Sequence, residues 1–183
     1  MLVACAGTSR AGVVLSFDPA TQTVMMPATA SVNLVVSGLG GGVSPGLGGF
    51  QFNILYDPII VLALDVTFGL DLGDPGLFEA LTTSDVTSPG SASLAEISLL
   101  APTDLLAMQS SSSFVMATID FQTVGAGTTL LNYDSVVLSD ESGNKLAFSA
   151  AAGSITVLAP EPTLGSIVGG LLLMAMAAAR RVQ

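Results

Sequence analysis

The chain contains no histidine and no tryptophan, a single cysteine and only four basic residues. Each shortage removes a class of chemistry. Without histidine there is no Ser-His-Asp or Cys-His catalysis and no histidine-ligated zinc. One cysteine, Cys5, makes neither an intrachain disulfide nor a thiolate metal cluster. The bases are Arg10, Lys145, Arg180 and Arg181, set against 14 acids for a net charge of −10. Three of the four lie near the ends, so residues 12 to 179 hold every acid and a single lysine. No basic face is available to neutralise phosphates, which excludes nucleic-acid binding. Charged residues make up 10% of the 183, against roughly a quarter in soluble domains, while half are hydrophobic. Disorder needs the reverse balance, and the length suits one domain.

What is present is period-2 alternation, the signature of half-buried strands. Phe50, Phe52, Ile54 and Tyr56 alternate with Gln51, Asn53 and Leu55. Leu62, Leu64, Val66 and Phe68 form a second set, Val115, Ala117, Ile119 and Phe121 a third, and Ile155 with Val157 a fourth. Shorter candidates are Val13–Phe17, Ser31–Val36, Leu94–Leu99, Thr129–Leu138 and Lys145–Phe148. Turn-forming Gly, Pro, Asn, Asp and Ser bound nearly all of them. About nine short strands in one domain predict an all-β protein, an antiparallel sandwich. Helical signal is weak: one turn over Pro75–Leu81, and a short helix over Thr103–Met108 that follows a proline and takes Thr103 as its cap.

Residue patterns that suggest chemistry have plainer readings. Gly42-Val43-Ser44-Pro45-Gly46 fits the nucleophile-elbow spacing, but that elbow needs a strand-to-helix turn and a histidine base. The surrounding glycine-rich stretch, 38 to 49, lacks the Lys-Ser/Thr ending of a phosphate-binding loop and is expected to be a long flexible hairpin loop. The acid pairs Asp71/Asp74 and Asp140/Glu141 fall in turn-like sequence, without the aromatic platforms that accompany glycoside hydrolysis. No cofactor is required. The candidate ion is a structural calcium at Asp140, Glu141 and Asn144, which crowd one short loop; plain acidic turns are the alternative.

The two ends differ in character. The tail reads Pro160-Glu161-Pro162, then an uncharged apolar stretch from Leu164 to Ala179, then Arg180-Arg181. As a helix the stretch spans roughly 24 Å, slightly short of a ~30 Å hydrocarbon core. The arginine pair would stop it on the cytoplasmic side and leave the domain outside. In this order the three elements resemble the PEP-CTERM sorting signal of Gram-negative bacteria. The resemblance implies recognition by an exosortase-type membrane protease; a plain single-span anchor is the alternative. At the other end, Met1 to Ala11 reads as the remnant of a secretory signal peptide, with Ser9 and Ala11 at cleavage-site spacing. Leu2-Val3-Ala4-Cys5 also matches a lipobox. Both readings need apolar residues upstream, which a start assigned too late would explain. The chain therefore divides into 1–11, a β domain over 12–158, and a sorting or anchor segment over 159–183.

Within the domain, Gly48-Gly49-Phe50-Gln51-Phe52-Asn53-Ile54-Leu55-Tyr56-Asp57-Pro58 precedes the strand containing Leu62 to Phe68. Asp140-Glu141-Ser142-Gly143-Asn144 precedes a closing Gly153-Ser154-Ile155-Thr156-Val157. This order resembles cohesin domains from about Val13 to Val157. The resemblance implies a nine-stranded jelly roll that docks other proteins through one sheet face. Together these features suggest an exported, non-catalytic protein of the cell envelope, surface or extracellular matrix of a Gram-negative bacterium. Its partners would be extracellular polysaccharide or other surface proteins, with transient contact to the exosortase and to the membrane. The alternatives are a cohesin-type receptor for dockerin-bearing secreted proteins and a carbohydrate-binding module.

Overall fold

The computed structural model describes residues 12–160. Eleven strands form two packed sheets. The five-stranded sheet runs in the order β10 (Phe148–Ala150), β1 (Val13–Asp18), β3 (Thr29–Ser37), β8 (Ser113–Thr123), β5 (Val61–Phe68). The six-stranded sheet runs β2 (Thr21–Met25), β11 (Gly153–Leu158), β9 (Gly127–Ser139), β4 (Gly49–Leu55), β7 (Ser91–Ser98), β6 (Ala80–Asp85). Neighbours pair antiparallel except at two edges, where β10 joins β1 and β2 joins β11 in parallel. The expected all-β sandwich is present. The two additional strands, β2 and β6, are edge strands with largely polar sequences, Thr-Gln-Thr-Val-Met and Ala-Leu-Thr-Thr-Ser-Asp.

The core lies between the sheets and follows the alternation. Phe50, Phe52, Ile54 and Tyr56 all point inward, as do Ile155 and Val157. Phe17, Phe50, Phe52 and Tyr133 form a chain of ring contacts with centroids 4.6–5.2 Å apart. Tyr133 on β9 also crosses to the opposite sheet, where its hydroxyl donates to the Ser16 carbonyl at 3.0 Å. Burial pushes this phenol's pKa up, so it serves as a donor throughout the physiological range.

Three bulges set which residues face the core. In β5 the register slips between Ala63 and Asp65, leaving Leu64 exposed. Val61 and Ala63 are therefore the buried residues at the start of β5, rather than the expected Leu62 and Leu64. The β3–β8 pairing skips Met116, so Met116 and Ala117 are both buried. In β9 the slip falls at Ser135, whose φ of 53° is left-handed, and it turns Val137 outward.

Three local expectations are corrected. The stretch from Gly38 to Gly48 is no flexible hairpin: it crosses from β3 in one sheet to β4 in the other and is pinned at several points. Leu39 and Leu47 are buried, and the Gln109 side chain accepts from the Leu47 amide and donates to its carbonyl, both at 2.7 Å. The helix α1 (Pro102–Met108) starts one residue before Thr103, because Pro102 takes its first turn and Ala101 is the cap, with no side-chain hydrogen bond. The expected strand over Lys145–Phe148 is reduced to a single bridge at Lys145, with β10 beginning at Phe148.

Candidate functional site

Strand β7 reverses the usual inside-out preference. Its sequence Leu94-Ala95-Glu96-Ile97 offers an isoleucine to bury and a glutamate to expose. The structure buries Glu96, 3% exposed, and leaves Ile97 at 53%. Parity fixes this choice, because Ala92 and Leu94 occupy the core and Glu96 shares their face.

The exposed isoleucine belongs to a continuous apolar surface. Register places Ser139, Gly49, Ile97 and Leu81 in one row across β9, β4, β7 and β6. Val137, Gln51, Ala95 and Thr83 form the next row. Leu81 and Val137 are 56% and 53% exposed. Together the two rows line a shallow groove of about 400 Å³. Gly49 keeps its floor low; a Cβ there would lie 3.1 Å from the Glu96 carbonyl oxygen. The following row carries Asp134, Asn53, Ser93 and Asp85, so acids bound the groove at both sheet positions below it.

The outer face of the five-stranded sheet is unlike this. Ser31 donates to Asp120, and Thr118 donates to Asn33 at 2.8 Å. Asp65 adds a further exposed acid, and Leu64 is the single exposed large apolar side chain of these five strands. On that face polar side chains of β3 and β8 pair with one another. The apolar side chains are concentrated on the other sheet.

Beneath the groove, neither carboxylate oxygen of Glu96 has a hydrogen-bond partner. Desolvation and the neighbouring charge of Asp71 push its pKa to about 8, so the side chain is protonated at neutral pH. Burial also raises Asp71. Gln109 donates to the Asp71 carbonyl at 3.2 Å, joining this corner to the Gly38–Gly48 crossover.

The candidate calcium residues sit at the same end. Asp140 Oδ1 accepts from the amides of Ser142 and Asn144 at 2.9 and 2.8 Å, and the Asn144 side chain donates to both carboxylate oxygens. Burial acts upward on Asp140, but these bonds outweigh it and hold the carboxyl below its usual value. Glu141 turns away to accept from the Gly46 amide at 2.8 Å, so the pair does not converge. Its pKa is also lowered, the Ser44 side chain and the Gly46 amide outweighing slight burial. Among the described residues no group of three or more acidic, histidine or cysteine side chains is placed to hold a metal. Asp74 caps a 3-10 turn (Pro75–Leu77) through the Gly76 amide. Pro160 is exposed just beyond β11; Glu161, Pro162, Arg180 and Arg181 lie outside the described residues. Among the described residues no helix is long and apolar enough to cross a membrane.

The folded architecture matches solved cohesin modules. The CaCohA2 cohesin from Clostridium acetobutylicum is 23% identical, with a TM-score of 0.64 over 81% of this chain and 92% of that one. The fold is cohesin-like. The sixth cohesin of scaffoldin B from Acetivibrio cellulolyticus, solved in complex with a Cel5 dockerin, gives a TM-score of 0.65 at 16% identity. That match covers 81% of this chain and all of the other. A non-cellulosomal cohesin from the archaeon Archaeoglobus fulgidus gives 0.58 at 10% identity, over 82% and 92% of the two chains. No family model and no curated protein matches the chain. Identities this low carry the fold alone, so the choice of face rests on the groove described above.

Proposed function

We propose that this chain is an exported, non-catalytic docking module that presents the outer face of its six-stranded sheet to a dockerin-bearing protein. The supporting observation is the exposed aliphatic set Leu81, Ile97 and Val137, held outward at the cost of burying Glu96. Burying one isoleucine is worth ~1.5–3 kcal/mol, and rules of inside and outside tend to be broken where function demands it. Solved structures of the same architecture have been captured as cohesin–dockerin complexes. Sugar binding finds less support: there is no tryptophan, Tyr56 is buried, and Tyr133 is committed to the core.

On this reading the segment from Pro160-Glu161-Pro162 to Arg180-Arg181 is the sorting signal, handled by an exosortase-type protease at a Gram-negative envelope. Strand β11 runs toward the pole where β9 begins, since Val157 pairs with Gly127. The groove lies at the opposite pole, where Gly49 pairs with Ser139. Attachment through the tail therefore leaves the groove facing away from the envelope.

The test is calorimetric titration of the full chain with dockerin modules. Ile97→Glu, placing a charge on the groove floor, is expected to weaken binding by about thirtyfold or more with the fold intact. Leu64→Glu, on the opposite face, is expected to leave it unchanged. Equal binding by wild type and Ile97→Glu would overturn the assignment of the face.

A further inference from the structure

The loop between β5 and β6 carries a feature the groove does not explain. Residues 70 to 79 are closed on themselves by hydrogen bonds. The Asp74 carbonyl accepts from the amides of Leu77 and Glu79, both at 3.1 Å, and its carboxylate accepts from Gly76. The Asp74 amide donates to Glu79 Oε2 at 3.1 Å. Buried Leu72 fixes the loop to the core, and the Leu99 amide on the far side of β7 donates to the Glu79 carbonyl at 2.7 Å. This rigid frame holds Leu77 and Phe78 outward at 68% and 81% exposure.

Phe78 is unusual twice over. It is the most exposed large apolar side chain among the described residues. Its backbone is left-handed, φ 60° and ψ 31°, where it ends the 3-10 turn. Glycine or asparagine ordinarily fills such a position, because a Cβ strains it. Strain and an unburied phenyl ring both cost the folded monomer, and such strained residues cluster at active sites, ligand clamps and switch regions. Phe78 also lies three residues from Leu81, at the groove end of the sheet.

We propose that Phe78, with Leu77 beside it, is an anchor that enters an apolar pocket rimmed by lysine or arginine on the docking partner. The inference rests on the docking reading and adds a contact that lies off the sheet. Charge identifies the rim. Asp71, Asp74 and Glu79 share the loop, and Lys145 is the single base among the described residues. A second copy of the chain would bring like charge against like and is the wrong occupant.

The experiment selects the tightest binder from a displayed library of dockerin modules against the full chain, then measures its affinity for variants at two salt concentrations. Phe78→Gly is expected to weaken binding about thirtyfold while leaving the melting temperature unchanged or higher, because glycine relieves the backbone. Phe78→Leu is expected to retain most of the affinity, and wild-type binding is expected to weaken as salt rises. If Phe78→Gly binds like wild type while Ile97→Glu does not, the docking reading stands and the anchor falls. If no dockerin in the library binds the wild type, both fall. If Phe78→Gly instead turns a dimer into a monomer by light scattering, the occupant is a second copy and the partner assignment is overturned.

Discussion

Replacing Glu96 with Gln keeps the shape of the side chain and removes its titration. In the unfolded chain this carboxyl ionises near 4.5, and in the folded chain it holds its proton to about 8. Between those values the unfolded state has released a proton that the folded state still binds. Stability from this group is therefore fully present below pH 4.5 and is lost progressively as pH rises to about 8. Each pH unit is worth about 1.4 kcal/mol, so the full separation bounds the effect at about 5 kcal/mol. Relaxation around the ionised carboxylate brings the effect below that bound, and ~2–3 kcal/mol is expected. The assay is urea unfolding of wild type and Glu96→Gln from pH 4.5 to 9. The two should be close in stability at pH 4.5, and the variant should be more stable at pH 8.5 by about 2–3 kcal/mol. Asp71, the charge that acts on Glu96, stays in both proteins, so its own titration largely cancels in the difference. A stability difference that does not vary with pH would refute the assignment of a neutral, buried Glu96.

Two further outcomes follow from the hydrogen bonds at the same pole. Gln109→Ala strands the buried amide and carbonyl of Leu47 and should cost about 3 kcal/mol, read as a fall in melting temperature of about 6–12 °C. Because Asp140 and Glu141 are already spent on backbone amides, a chelator should leave the melting temperature unchanged; a clear fall would place calcium in that loop.

The sandwich was legible in the sequence where one face of a strand is apolar. Phe50, Phe52, Ile54 and Tyr56 alternate without interruption, and all are buried. Where a bulge intervenes, alternation misleads: Leu64 continues the apolar pattern of β5 yet sits at the slip and faces solvent. Strands β2 and β6 give no clear period in the sequence, because these edge strands carry polar residues on both faces. The crossover from Gly38 to Gly48 read as loose because glycine content says nothing of the long-range contacts with Gln109 and Glu141 that hold it.

The candidate site was hidden for a related reason. A local reading of Leu94-Ala95-Glu96-Ile97 puts isoleucine in and glutamate out. The parity set by Ala92 and Leu94 decides the opposite, and only the paired strands show that Leu81 and Val137 fall in adjoining rows of the same face. Asp71 was visible as an acid in a turn, but its proximity to Glu96 depends on how the β5–β6 loop folds over the sheet. Phe78 carried no periodic signal because it lies outside any strand.

The most direct test of the account is carbene footprinting of the full chain, alone and saturated with a bound dockerin, read by mass spectrometry. The account expects protection of Leu81, Ile97 and Val137, with Leu64 and its neighbours on the five-stranded sheet labelled as before. Protection of Leu64, Asp65 and Asp120 with undiminished labelling of Ile97 would contradict it.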